Sequence, residues 1–303
     1  MLLNHNVKLE GGITYWHATH ADYGKLKFDW PVELEKYLPK ARTPGAALKA
    51  ALENVFADKR TLIRPLKLEG SFAVVKETVS KSILDPVVSF YCHVPLVAPH
   101  PKDKSQAMTY TGADPVFEAA AQPPLDAECN AVIAAFREEL NHIPPIAISN
   151  SLVDVVEFLG GISLKENGGV YWLADSARPL WDEAANAVEN SSVADKLKSK
   201  VYFVRTVLDE KSVVAVVDAL SREITTTVTT IIKQLGTDIG ERARDSKAKQ
   251  AERLLKKVTT YEAVLDLKLT ELREKLDKVV AVANATSVVA LAPEEDADGV
   301  NAA

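Results

Sequence analysis

GGISLKENGGVYWL, residues 160–173, sets two short apolar runs on either side of Asn167-Gly168, with a second glycine directly after. Asn-Gly between such runs signals a β-hairpin, because both central residues of a type I′ turn need positive φ. With those two at the turn centre, Lys165 faces Val170, Leu164 faces Tyr171, Ser163 faces Trp172 and Ile162 faces Leu173. That register gathers Ile162, Leu164, Tyr171 and Leu173 on one face for burial and leaves Trp172 on the other. An exposed Trp172 would then mark a contact surface.

Working outward, the ribbon lies between helices. Ala127 to Asn141 repeats Val132, Ile133, Phe136 and Leu140 at helical spacing, and Pro144-Pro145 stops it. SLVDVVEFL (151–159) is a second helix ending at Gly160-Gly161, and Asp175 or Ser176 caps a third that carries Leu180, Ala184 and Val188. The order helix, helix, ribbon is winged-helix-like, but the helix that would read DNA carries Asp154 and Glu157 and no basic residue. A protein-binding or packing module is the better reading of that unit.

Towards the amino end, GGITYWHA (11–18) and GKLKFDW (24–30) read as a strand pair, and Thr43-Pro44 opens a helix with Leu48, Leu52, Val55 and Phe56 on one side. RTLIRPLKLE (60–69), SFAVVKETV (71–79) and PVVSFYCHVPLV (86–97) are β-rich, whereas residues 99–124 hold five prolines and little periodicity. Towards the carboxyl end the apolar positions 213, 217, 220, 224, 228, 231, 235 and then 254, 258, 261, 265, 269, 272, 276, 279 step by threes and fours, as in straight helices packed on each other. GTDIG (236–240) separates the two arms, and the second would reach roughly 60 Å if unbroken. The expected fold class is α+β: an N-terminal antiparallel sheet with one helix, a small helix-hairpin-helix middle unit and a long C-terminal helical hairpin or coiled coil. The expected domains are 1–98 (α+β), 99–125 (proline-rich linker or loop), 126–208 (winged-helix-like), 209–283 (helical hairpin) and 284–303 (acidic tail).

Bulk composition excludes several classes. The chain has 303 residues, 47% of them hydrophobic, and a net charge of -6, which argues against an indiscriminate coat for nucleic acid. Glu294, Glu295, Asp296 and Asp298 supply -4 of that charge, so the body carries only -2. Two cysteines are too few for a disulfide framework, and the longest apolar tract (279–292) is shorter than a membrane span. A cytoplasmic protein with no membrane partner is expected.

The chemistry-bearing residues are sparse. His17 and His20 flank Ala-Thr and Cys92-His93 lies on a β run, but residues three apart on a strand point to opposite faces, so no metal site is expected. There is no Gly-x-Ser-x-Gly elbow, no GxxxxGK[ST] loop and no GxGxxG turn. An enzyme is therefore not expected, nor any catalytic residue or cofactor. KRTLIRPLK gathers Lys59, Arg60, Arg64 and Lys67, with Tyr15, Trp16, Phe28 and Trp30 on neighbouring segments. Cations and flat rings on one sheet are how single-stranded nucleic acid is held, and an acidic tail would compete for such a groove. ERARDSKAKQAERLLKK (241–257) has seven basic and three acidic residues and could dock an acidic partner.

The ribbon GGISLKENGGVYWL followed by a helix, together with KVTTYEAVL (257–265), resembles an uncharacterised family of bacterial and phage proteins of similar size. The resemblance covers the last half of the chain. It implies a bacterial or phage context and carries over no activity and no site residues. The function expected is that of a non-enzymatic binding or assembly protein, self-associating as a homo-oligomer through its long C-terminal helices, because continuous apolar seams must be buried by something. The alternative is a single-stranded nucleic-acid-binding protein, with Arg60, Arg64, Lys67, Trp16, Trp30 and Trp172 as the contacts with nucleic acid or a partner.

Overall fold

The computed structural model describes residues 10–57, 60–80, 83–97, 108–122, 124–166, 168–193, 197–207, 209–237 and 240–289. In chain order the elements are β1 (Glu10–His17), β2 (Ala21–Asp22), α1 (Tyr23–Asp29), α2 (Pro44–Val55), β3 (Thr61–Pro65), β4 (Ser71–Ser80), β5 (Ile83–His93), β6 (Leu96–Val97), β7 (Thr109–Tyr110), β8 (Val116–Ala119), α3 (Asp126–Asn141), β9 (His142–Ile143), α4 (Pro145–Phe158), β10 (Ile162–Ser163), β11 (Tyr171–Ala174), α5 (Arg178–Asn190), β12 (Lys200–Val207), α6 (Glu210–Leu235), α7 (Glu241–Leu265) and α8 (Thr270–Val289). Antiparallel sheets and long C-terminal helices make the α+β class expected from the sequence. The chain divides into two compact units, and they are interleaved instead of serial: a helical unit of Met1–Trp16, Val155–Trp181 and Tyr202–Ala303, and a sheet unit of His17–Asp154 and Asp182–Val201.

The sheet unit is built from near neighbours. β3, β4, β5 and β8 form one antiparallel sheet in that order. Its core joins Phe72, Val74, Phe90 and Cys92 to Ala47, Leu48 and Leu52 of α2 and to Val132 and Phe136 of α3, so two helices serve it where one was expected. Thr43 caps α2 as its sequence predicts, accepting the Ala46 N–H at 3.3 Å. The described part of the proline-rich segment adds β7 and β8, and β8 extends the sheet beside β5.

The strand expected at GKLKFDW is a helix. Alternation of Lys25, Leu26, Lys27 and Phe28 suggests a strand, but Asp22 Oδ1 accepts the Lys25 N–H at 2.8 Å and starts a helical turn. Only Leu26 of α1 is buried, and Phe28 stands 90% exposed. β1 pairs with β11 and joins the sheet of the helical unit, whose order is β10-β11-β1-β12.

That sheet corrects the hairpin register. Ile162 faces Trp172 and Ser163 faces Tyr171, one residue away from the expected ladder. Leu164 donates its N–H to Val170 O at 2.9 Å and Gly168 to Lys165 O at 3.0 Å. Gly168 and Gly169 both have positive φ (72° and 89°), which adds a residue to the loop; Asn167 lies outside the described residues. A one-residue slip turns every side chain over. Trp172 therefore shares a face with Ile162 and is buried against the helices, 1% exposed. Tyr171 and Leu173 are buried on the opposite face. β1 closes over the ribbon so tightly that a Cβ on Gly11 would lie 2.2 Å from the Trp172 ring.

The C-terminal seams hold, but there are three helices, not a hairpin. Asp209 caps α6 by accepting the Ser212 N–H at 2.8 Å, and the chain breaks at 236–240 as expected. The second arm breaks again after Leu265. Asp266 takes a left-handed conformation, φ 47°, and the Leu267 N–H returns to Glu262 O at 3.2 Å, closing a Schellman-type end in which aspartate replaces the usual glycine. Apolar spacing crosses the break because Leu265, Leu269 and Leu272 keep the four-then-three step through the turn. One core then joins Val213, Leu220, Ile224, Val228 and Ile231 of α6, Leu254, Val258, Tyr261 and Leu265 of α7, Leu272, Leu276 and Val279 of α8, and Ile162 and Trp172 of the ribbon.

Candidate functional site

The residues singled out in the sequence do not gather on one sheet. Arg60 precedes β3, Arg64 lies on it and Lys67 follows it, all three exposed; β3 is an edge strand, and charges there guard against unwanted strand pairing. Lys59 lies outside the described residues. Trp30 is buried beyond the end of α1 and donates its indole N–H to Leu34 O at 2.8 Å. Trp16 is on the other unit's sheet, stacked 5.4 Å from Tyr171 and tilted against Trp181 at 5.9 Å. Trp172 is a core residue, 5.5 Å from Tyr261, and is not a contact surface. Of the rings singled out in the sequence, Tyr15 and Phe28 are exposed, and Tyr15 stacks on exposed Tyr202 at 4.9 Å.

Neither His93 nor Cys92 has a reactive setting. His93 Nδ1 lies 3.7 Å from Glu118 Oε1. Burial pushes the Cys92 thiol up to about 12, far from a reactive thiolate. Among the described residues no group of three or more His, Cys, Asp or Glu side chains is placed to hold a metal ion.

A polar cluster in the sheet unit escaped sequence reading. Glu139 on α3 is buried, its Oε2 3.1 Å from Arg42 Nε, and Asn54 Nδ2 donates to its Oε1 at 3.2 Å. Arg42 Nη2 lies 3.5 Å from His20 Nε2, and the His20 and His142 rings are 6.2 Å apart. Burial holds His20 below its ordinary value; Arg42 and His142 act the same way and Glu139 opposes them. No sequence spacing links positions 20, 42, 139 and 142, so only the fold reveals the cluster. Chemically it is a neutralised cation with a carboxylate, an amide and two imidazoles around it, without a nucleophile.

In the helical unit the polar groups do mechanical work. Lys257 Nζ donates to Glu223 Oε1 at 2.7 Å and to Gly161 O at 2.6 Å, while Tyr261 Oη donates to Gly160 O at 2.9 Å. α6 and α7 thus grip the start of the ribbon, and burial, then Glu223, pushes the Tyr261 phenol well above its ordinary value. A cleft of about 650 Å³ at the α7–α8 turn is lined by Glu262, Asp266, Lys268 and Arg273 among others. Its Glu262 carboxylate is already engaged, accepting the Leu269 N–H at 2.9 Å and pairing with Arg273. Arg273 first, then the Leu269 N–H, hold Glu262 below the ordinary carboxylate value.

What remains open to a partner is the outside of the helices. On α6 the exposed positions between Arg222 and Lys233 are Thr225, Thr226, Thr229, Thr230 and Ile232, without an exposed charge. The Thr229 hydroxyl returns to Thr225 O at 2.8 Å and the Thr230 hydroxyl to Thr226 O at 2.9 Å, so their donors are satisfied by the helix itself. On α7 the exposed side carries Arg242, Lys249, Arg253 and Lys256. Among the described residues no helix is long and apolar enough to cross a membrane. A family of unknown function, DUF6744, matches residues 32–292. No curated protein and no solved structure matches the chain.

Proposed function

As the chain belongs to that family, whose function is unknown, we propose a function from its surfaces: a non-enzymatic binding and assembly protein that self-associates through its C-terminal helices in a bacterial or phage cytoplasm. The seams that first suggested assembly are buried within one chain, so the contact has to use another surface. The observation that carries the reading is the uncharged window of α6. An exposed run of β-branched side chains, with Ile232 at 55% exposure, suits helix–helix contact with a second copy, because docking there desolvates methyl groups and no charges.

Light scattering across protein concentration tests this. The chain has a mass of 33.0 kDa, and a discrete multiple of it is expected. Thr229→Glu with Ile232→Glu puts carboxylates into the window and should return the protein to the single-chain mass, with its far-UV spectrum unchanged. A wild-type chain that stays monomeric at every concentration sinks the proposal.

A further inference from the structure

The α7 cations form a row. Positions 242, 249, 253 and 256 are separated by seven, four and three residues, which at 100° per residue places them within about 60° of arc on one side of the helix. At 1.5 Å per residue the row is roughly 21 Å long. On the opposite side Ala248, Ala251, Leu254 and Val258 are buried, so packing holds the helix that presents the cations. Asp245 stands beside the row and pairs with Lys249 at 2.6 Å; Glu252 lies on the same flank.

We propose that Arg242, Lys249, Arg253 and Lys256 form a binding site for the phosphate backbone of single-stranded nucleic acid, a ligand site separate from the assembly window. Two features of the row select this ligand. The other exposed side chains beside the cations are Glu241, Ser246, Thr259, Thr260 and Ala263, with no aromatic or large aliphatic residue among them. Protein partners are anchored by such residues in a desolvated centre, whereas a polyanion needs only regularly spaced cations. The row is also straight. A flexible single strand can adapt its phosphate spacing to the four cations, whereas a duplex presents its phosphates at fixed positions.

Glu294, Glu295, Asp296 and Asp298 supply -4 of the chain's net charge of -6, so removing them should strengthen binding of any polyanion.

The test is anisotropy of a labelled oligothymidylate with the full chain at 50 and 200 mM salt. Three to four neutralised phosphates predict a roughly 20- to 50-fold loss of affinity between those salts for a single strand. Arg242→Ala, Arg253→Ala and Lys256→Ala together should remove most binding and flatten the salt dependence, while the oligomer mass by light scattering stays as in the wild type. Arg60→Ala, Arg64→Ala and Lys67→Ala together should change nothing, and a chain ending at Val289 should bind more tightly. Absence of binding at 50 mM salt, full binding by the α7 triple variant, loss of binding by the β3 triple variant alone, or equal affinity for a duplex would each overturn the assignment. Because mass and anisotropy are read separately, failure of assembly and failure of this site are distinguishable.

Discussion

The two units solve one problem in opposite ways. The sheet unit makes its β-sheet mainly from consecutive strands, with β3, β4 and β5 hydrogen-bonded in chain order, and covers it with α2 and α3. The helical unit takes strands from residues 10–17, 162–174 and 200–207 and lays their ribbon on three long helices. Local pairing closes short loops, whereas pairing across more than a hundred residues carries a larger chain-entropy cost. The second design therefore concentrates its stability where strand and helix meet, at Trp172, Gly11, Lys257 and Tyr261.

The largest expected effect tests that concentration. Trp172→Ala removes a ring buried between Ile162 and Tyr261 and should cost about 3–5 kcal/mol in urea denaturation. A cost below about 1 kcal/mol would mean that α6–α8 stand without the ribbon and that the contrast between the units is wrong. Gly11→Ala comes next. Its new methyl would lie 2.2 Å from Trp172 and 2.7 Å from Leu173 O, so overpacking should cost about 1–3 kcal/mol. Gly240→Ala, where a Cβ meets nothing within 4 Å but alanine replaces the α7 N-cap, should cost less, under about 1 kcal/mol in the same urea denaturation.

These same positions separate what the sequence reveals from what it hides. Thr43-Pro44, the apolar face of α2 and the seams of α6 and α7 are local patterns and read correctly. The Asn-Gly signal found the hairpin, but Gly168 and Gly169 together lengthen the loop, and one residue of slip exchanged Trp172 with Leu173. Apolar spacing ran unbroken through Asp266 because a four-residue turn preserves the phase. β12 was missed although Val201 and Phe203 alternate with Tyr202 and Val204, because its partner β1 lies almost two hundred residues away. Of the candidate sites, the α7 cations were visible as a basic stretch and their alignment follows from helical phase. Arg42 and Glu139 meet only in the fold.

Lys257→Met asks whether the grip on Gly161 stabilises the ribbon or merely accompanies it. Removing one partner of a buried pair costs about 3–5 kcal/mol, but Glu223 is 32% exposed and can rehydrate, so about 1–2 kcal/mol is expected here. A double-mutant cycle with Glu223→Gln should give a coupling of the same sign; zero coupling would assign the loss to packing of the lysine stem alone.

Acid sharpens the comparison at the smallest scale. His20 in the sheet unit titrates below its ordinary 6.5 when folded, so the unfolded chain takes up that proton first. The resulting stability is present above 6.5 and is lost as pH falls through the folded value. Glu262 in the helical unit titrates below its ordinary 4.5, and its contribution likewise persists above 4.5 and disappears as pH falls through the lowered folded value. Between about pH 7 and pH 5 the sheet unit should therefore lose protection from hydrogen exchange first, by less than about 1 kcal/mol because His20 is partly solvated. Replacing Arg42 with alanine removes a neighbouring cation that opposes protonation and should raise the His20 midpoint in an NMR titration. A midpoint that does not move would assign the lowered value to burial and His142 alone, and an earlier loss of protection in the helical unit would reverse the order proposed for the two units.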